Sequence, residues 1–327
     1  MSLLRIAVLD DYQGVALELA DWSGVMERAE VTVFRDHLFE ANDVVARLQA
    51  FDVVCLMRER TPVTRAMLEQ LPNLKLMVTT GMRNASLDMA AAAERGIPVL
   101  GTRSAANGTV ELAWALMLAL VKHLPEETAG MKAGKWQLAV GGDLEGRTLG
   151  VVGLGRIGAK VAQVGKAFGM DVIAWSQNLT AEAAEKEGAR LVTKEQLFRE
   201  ADLVTIHMVL SERTKGLVGA AELALMKPTA YVVNTSRAGL LDMEALLAAL
   251  ERKQIAGAGV DVFETEPLPL DSPLRNTERL LVTPHVGFVN EGGYRIFYGE
   301  MVQDLISWFE GKPVRVLNGP GGSGVAH

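Results

Sequence analysis

The run Thr148-Leu149-Gly150-Val151-Val152-Gly153-Leu154-Gly155-Arg156-Ile157-Gly158 decides how this chain reads. An apolar strand enters G-x-G-x-x-G, and a helical run over residues 159–168 leaves it. Gly153 permits a sharp turn after the strand, Gly155 lets backbone amides approach a pyrophosphate, and Gly158 lets the helix pack closely on the sheet. The helix N-terminus then offers unpaired N–H groups and a partial positive charge, which together make a seat for an anion. Three glycines alone arise by coincidence. Here a strand precedes them, a helix follows, and a second strand, Val172-Ile173-Ala174-Trp175, arrives where a βαβ unit needs it.

Downstream, apolar runs at 203–206, 231–234, 257–262 and 280–283 read as further strands with helices between them, so with 149–152 and 172–175 the reading is a sheet of six parallel strands. Upstream, strands are expected at 6–9, 31–34, 53–57, 74–78 and 99–100, and helices at 14–28, 41–50, 64–70 and 86–95. Alternating β and α with wholly apolar strands implies parallel sheets covered on both faces. The fold class is therefore α/β with two doubly wound domains, for which 327 residues leave room. Residues 110–121 are apolar apart from Glu111 and too few to span a bilayer, so that helix is expected to be buried, between domains or subunits. Residues 130–147, rich in glycine, read as a connecting loop. Residues 294–309 form an amphipathic helix that could complete either domain, and 319–327 read as a fraying tail.

A formal charge of −7 without a Lys/Arg cluster argues against a nucleic-acid partner. No apolar run suits a membrane. The only cysteine, Cys55, lies in an apolar strand, so a buried thiol and a reducing compartment are expected. Leu3 to Asp11 reads as a strand ending in acids rather than an export signal, and the expected setting is cytoplasmic.

Three residues follow successive strands of the second sheet, where a doubly wound fold collects its ligands. They are Arg237 in Asn234-Thr235-Ser236-Arg237, Glu266 in Asp261-Val262-Phe263-Glu264-Thr265-Glu266-Pro267, and His285 in Thr283-Pro284-His285-Val286-Gly287. A guanidinium can hold a carboxylate in two bonds. An imidazole can exchange a proton with a carbonyl or alcohol oxygen near neutral pH. Taken singly, each reads as an ordinary surface or loop residue; together they supply a clamp, an acid and an orienting carboxylate. None of the other four histidines, His37, His123, His207 and His327, makes a metal-ligand spacing with His285, so no metal is expected.

In these motifs the chain resembles the D-isomer-specific 2-hydroxyacid dehydrogenases, the family of the glyoxylate/hydroxypyruvate reductases and phosphoglycerate dehydrogenases. The resemblance runs from residues 53–58 through 150–158, 234–242, 261–267 and 283–287. It implies a flavodoxin-like substrate domain, residues 1–101 plus 290–327, around a Rossmann NAD(P)-binding domain, residues 102–289, with the active site in the cleft between them, and commonly a homodimer. It implies hydride transfer between a nicotinamide and a small D-2-hydroxy/2-oxo acid, with Arg237 on the substrate, His285 as proton donor or acceptor, and Glu266 positioning the histidine. It assigns Gly153, Gly155, Arg156, Ile157, Gly158, Ser176, His207, Thr235, Ser236, Asp261 and Gly287 to the cofactor, and Arg58, Gly81, Met82 and Arg83 to the substrate. A dinucleotide-sensing binding protein and a formate- or phosphite-type dehydrogenase are alternatives within the same fold.

The pattern is departed from at two places. The second cofactor strand usually ends in an acid that binds the ribose hydroxyls, but Ser176 stands there, followed by Gln177 and Asn178. The serine removes repulsion toward a 2′-phosphate while neither neighbour offers an arginine to neutralise one, which leaves NAD favoured over NADP. Relatives usually carry a second glycine where this chain has Arg83, so that arginine either meets a second anionic group on the substrate or pairs with a surface acid.

Overall fold

The structure is a computed structural model that describes residues 3–319. The chain forms two compact units, Met1–Ala105 with Asn290–His327, and Ala106–Val289.

The first unit holds five parallel strands, β1 (Leu4–Val8), β2 (Ala29–Val33), β3 (Val53–Leu56), β4 (Leu76–Thr79) and β5 (Val99–Gly101), in the order β2-β1-β3-β4-β5. This is the flavodoxin-like order, and it reverses between β1 and β3. Every residue of β3, β4 and β5 is buried, as wholly apolar runs in a doubly covered sheet require. Cys55 sits among them, and burial pushes its thiol pKa far up. The long helix Glu291–Phe309 starts at Asn290, whose side chain accepts from Gly293 N, and packs against β4 and β5. Beyond it the chain returns along β5, with Leu317 N donating to Val99 O at 2.8 Å and Gly101 N to Arg315 O at 3.1 Å. The helix carries Asp304, fully buried and 2.9 Å from an Arg315 nitrogen. Burial raises its carboxyl to about 7 in spite of that arginine.

The second unit holds seven parallel strands: β6 (Thr148–Val152), β7 (Asp171–Trp175), β8 (Arg190–Leu191), β9 (Leu203–Ile206), β10 (Tyr231–Asn234), β11 (Gly257–Val260) and β12 (Leu280–Val282), ordered β12-β11-β10-β9-β6-β7-β8. The order reverses between β6 and β9, the position at which such sheets open a crevice. Alternate residues feed two cores on opposite faces, Val152, Ile173 and Val204 entering one and Val151, Val172 and Leu203 the other. Helix Asn107–Val121 packs Val110, Trp114 and Met117 into the second core, against helix Arg156–Ala167. No helix among the described residues is long and apolar enough to cross a membrane.

Three sequence expectations need correction. The second sheet has seven strands rather than six, because the two-residue β8 is too short to show a pattern. Only Ser23–Met26 of the expected helix over 14–28 is α-helical. Asp11 takes the N–H groups of Val15 and Ala16, the Trp22 indole takes the Ala16 carbonyl, and Asp21 takes Ser23 N, so side chains compete away the bonds a continuous helix would need. The expected loop begins later than residue 130, because Leu124–Lys132 is helical with Pro125 in its first turn and Glu126 and Glu127 behind it. Of the tail expected to fray over 319–327, residues 320–327 lie outside the described residues.

Candidate active site

The phosphate seat is built as the glycine spacing demands. Gly153 has φ 97°, and a Cβ there would stand 2.7 Å from the His207 carbonyl oxygen. A Cβ on Gly158 would run into the carbonyl oxygen of Gly153. Gly155 differs, because a Cβ there would meet no protein atom within 4 Å. It is also the N-cap of helix Arg156–Ala167, with no side chain capping the turn, so the amides of Arg156, Ile157 and Gly158 begin the helix beside open space. That is a cradle for an anion.

The neighbouring strand ends carry orphaned polar atoms. His207 follows β9 and Thr235 follows β10, in register side by side. Neither His207 Nδ1 nor Thr235 Oγ1, both buried, has a hydrogen-bond partner. His207 Nε2 is satisfied by Thr205 Oγ1 at 2.8 Å, and burial lowers the ring pKa to about 4, so the imidazole is neutral at pH 7. Buried polar atoms without protein partners leave bonds for a water or a ligand to supply. These residues suit a dinucleotide: the amides at 156–158 could hold phosphates, and His207 and Thr235 could bond further polar groups of it. Ser176 stands half-buried one residue past β7 and opens the turn closed by Leu179 N on its carbonyl.

Arg237, Glu266 and His285 follow β10, β11 and β12, three neighbours at one end of the sheet. Asn234 shapes the first turn: its Oδ1 accepts Ser236 N at 3.0 Å and its Nδ2 donates to Arg237 O at 2.9 Å. Ser236 Oγ donates to Ile206 O at 2.7 Å, tying that turn back to β9. Glu266 uses both oxygens. Oε1 accepts Phe263 N at 2.8 Å, and Oε2 lies 2.5 Å from His285 Nδ1. The two side chains are 26% and 25% exposed, so the pair is open on one side. With Nδ1 held by Glu266, Nε2 is the nitrogen left to exchange a proton.

Asp261, expected on the cofactor, bonds the loop that carries His285. Its carboxylate is buried and accepts Thr283 Oγ1 at 2.6 Å, Val286 N at 2.8 Å and Gly287 N at 2.9 Å, gripping the His285 loop on both sides. Burial raises its pKa against those bonds. Gly287 packs closely beside it, and a Cβ there would come 3.1 Å from Asp261 Oδ2, a tight contact. Sequence reasoning passed over Asn234, Thr205 and Phe263. An Asn directly after an apolar strand, ahead of Thr-Ser, was the available signal for the first.

The residues expected on the substrate lie in the first unit, after β3 and β4. Arg58 has φ 55° and donates its N–H to Thr80 Oγ1 at 2.8 Å. Gly81 has φ 93°, and a Cβ on it would strike the Arg58 guanidinium. Met82 and Arg83 are exposed.

Against known families, residues 114–287 match the model described as D-isomer specific 2-hydroxyacid dehydrogenase, NAD binding domain. The chain belongs to that family. A glyoxylate reductase of the family from Korarchaeum cryptofilum is 35% identical over 308 residues, 90% of this chain and 92% of its own. The D-3-phosphoglycerate dehydrogenase of Methanocaldococcus jannaschii is 36% identical over 293 residues, 88% of this chain. This chain spans only 54% of that relative's length, and 57% and 58% of the enzymes of the same name from Synechocystis and Bacillus subtilis. The crystal structure of a phosphoglycerate oxidoreductase from Vibrio cholerae O395 superposes with a TM-score of 0.89 at 35% identity, covering 94% of this chain and all of that one. The seven-stranded unit is accordingly this family's NAD-binding domain.

Proposed function

We propose that this protein interconverts a small D-2-hydroxy acid and its 2-oxo acid with a nicotinamide dinucleotide, using His285 as acid and base. The observation that carries this reading is the 2.5 Å contact between Glu266 Oε2 and His285 Nδ1 at the same end of the sheet as the phosphate seat. Relatives named glyoxylate reductase and hydroxypyruvate reductase support a small 2-oxo acid as substrate.

A bound reduced nicotinamide supplies the hydride that C2 of the 2-oxo acid accepts. His285 delivers the proton from Nε2 to the C2 oxygen, completing the alcohol, and recovers it in the reverse direction. Glu266 fixes the ring through Nδ1 and so directs Nε2 to the substrate. Arg237 holds the substrate carboxylate and offsets charge developing at the C2 oxygen. Arg58, with the loop of Gly81, Met82 and Arg83, forms the rest of the substrate contact, and Asp261, Gly287 and Ser236 hold the cofactor side in shape. NAD is the preferred cofactor, because no arginine accompanies Ser176. A cytoplasmic homodimer completes the reading, with exposed Met131, Trp136 and Val140 offering apolar surface to a second copy.

The test is a matrix of NADH and NADPH against glyoxylate, hydroxypyruvate, pyruvate, 2-oxoglutarate and branched 2-oxo acids, with His285→Ala alongside. Turnover should appear and fall by about 10²–10⁴-fold in the variant, with NADH affinity nearly unchanged. Tight NADH binding without turnover on any acid would instead favour a dinucleotide sensor.

A further inference from the structure

Asn84 sits in the middle of the loop expected to meet the substrate, 5% exposed, and all four of its hydrogen-bonding positions are used. Nδ2 donates to Arg58 O at 2.6 Å and to Thr79 Oγ1 at 2.8 Å. Oδ1 accepts Ser86 N at 2.9 Å and Ser86 Oγ at 2.6 Å. Turning the amide over would set its oxygen against the Arg58 carbonyl, so the network fixes its orientation. The residue bonded on the Nδ2 side is the strained one. Arg58 has φ 55°, a backbone that a side-chain-bearing residue keeps only when its surroundings impose it. Thr80 Oγ1 holds Arg58 from its N–H and Asn84 holds it from its carbonyl.

A second tie lies further along. Val63 N donates to Ser86 O at 2.9 Å and Asp88 N to Val63 O at 3.0 Å, making a parallel bridge between Val63 and Leu87. Segments 58–63 and 80–88 are thus joined at both ends, beyond the C-terminal ends of the adjacent strands β3 and β4. They form one rigid piece that carries Arg58 on one side and Met82 and Arg83 on the other.

We propose that Asn84 is a positioning residue for substrate specificity: by bonding Arg58 O, Thr79 and Ser86 together, it sets the spacing between the Arg58 guanidinium and the Gly81–Arg83 loop, and so the reach of the 2-oxo acid that fits. This rests on the dehydrogenase reading above. Asn84 touches neither cofactor nor the reacting carbon, and it acts by where it holds two anion-binding segments.

The test is Asn84→Asp with Ser86→Ala, assayed with NADH and glyoxylate or hydroxypyruvate. The aspartate keeps the size and the bonds from Ser86 but points a second acceptor at the Arg58 carbonyl, which removes the restraint on the strained residue. KM for the 2-oxo acid should rise about tenfold in Asn84→Asp and less in Ser86→Ala, with kcat and the NADH dissociation constant little changed even where the buried carboxylate lowers Tm. The ranking of the two acids should also change. An unchanged KM and ranking would overturn the proposal, as would a parallel loss of kcat, NADH affinity and Tm, which would make Asn84 part of the scaffold only. Turnover of the unmutated protein in the same assay separates the two claims: NADH binding with no turnover on any 2-oxo acid removes the dehydrogenase reading itself, whereas turnover leaves Asn84 to stand or fall on its own KM.

Discussion

His285 has φ 51°, outside the backbone region a histidine prefers, and the grip of Asp261 on Thr283, Val286 and Gly287 accounts for it. The loop is shaped first, and the imidazole is then aimed by Glu266. Under the proposed reaction, reduction of a 2-oxo acid consumes a proton and oxidation releases one, so the reductive rate should rise as pH falls and the oxidative rate as pH rises. Initial rates in both directions across pH check this, and identical profiles would count against one shared acid and base. At this scale much of the candidate site could be read from the sequence, since Arg237, Glu266 and His285 stand in motifs after apolar strands. How they are held was less legible: Asn234 and Asp261 bond backbone across a turn on the Arg237 and His285 loops, and Asn84 does the same for Arg58, and such bonds leave no periodic trace.

At the scale of elements, the glycine-to-helix turn offers a sharp contrast. A Cβ on Gly158 meets the Gly153 carbonyl oxygen, whereas one on Gly155 meets nothing of the protein. Gly155→Ala should therefore leave stability within about 0.5 kcal/mol and weaken NADH binding, while Gly158→Ala should lower Tm as the helix is pushed off the sheet. Thermal melts and NADH titration of the two variants decide it. Buried strands such as Leu203–Ile206 and Tyr231–Asn234 were legible to the residue, because burial on both faces writes a mostly apolar run. Arg190–Leu191 was not, for two residues cannot show alternation. The helix Leu124–Lys132 did carry signals, a proline in the first turn and two acids behind it, but the glycines that follow drew the reading toward a loop.

For the molecule as a whole, the two units should respond to acid in opposite senses. Asp304, in the first unit, has a carboxyl raised from 3.8 to about 7, so the folded state binds the extra proton and this group's contribution falls as pH rises from about 4 to 7. His207, in the second, is lowered from 6.5 to about 4, so its contribution is full above 6.5 and is lost as pH falls toward 4. Amide exchange at pH 7.5 and pH 5 should show protection moving toward the first unit on acidification, relative to Asp304→Asn and His207→Asn controls. Equal changes in both units would contradict these assignments.

The return of the chain to β5 has a consequence in time. Asn318 accepts Val99 N at 2.9 Å across 219 positions of sequence, and Leu317 and Arg315 bond the same strand. Residues 106–289 must leave the ribosome between the two parts of the first unit, a wait of roughly 10–40 s at ordinary elongation rates. During that interval the contiguous NAD-binding domain can fold alone, while the five-stranded sheet waits with the β4 and β5 faces that helix Glu291–Phe309 will cover. The part of the chain made first is the part completed last, and its apolar strands are where a chaperone would have to stand guard.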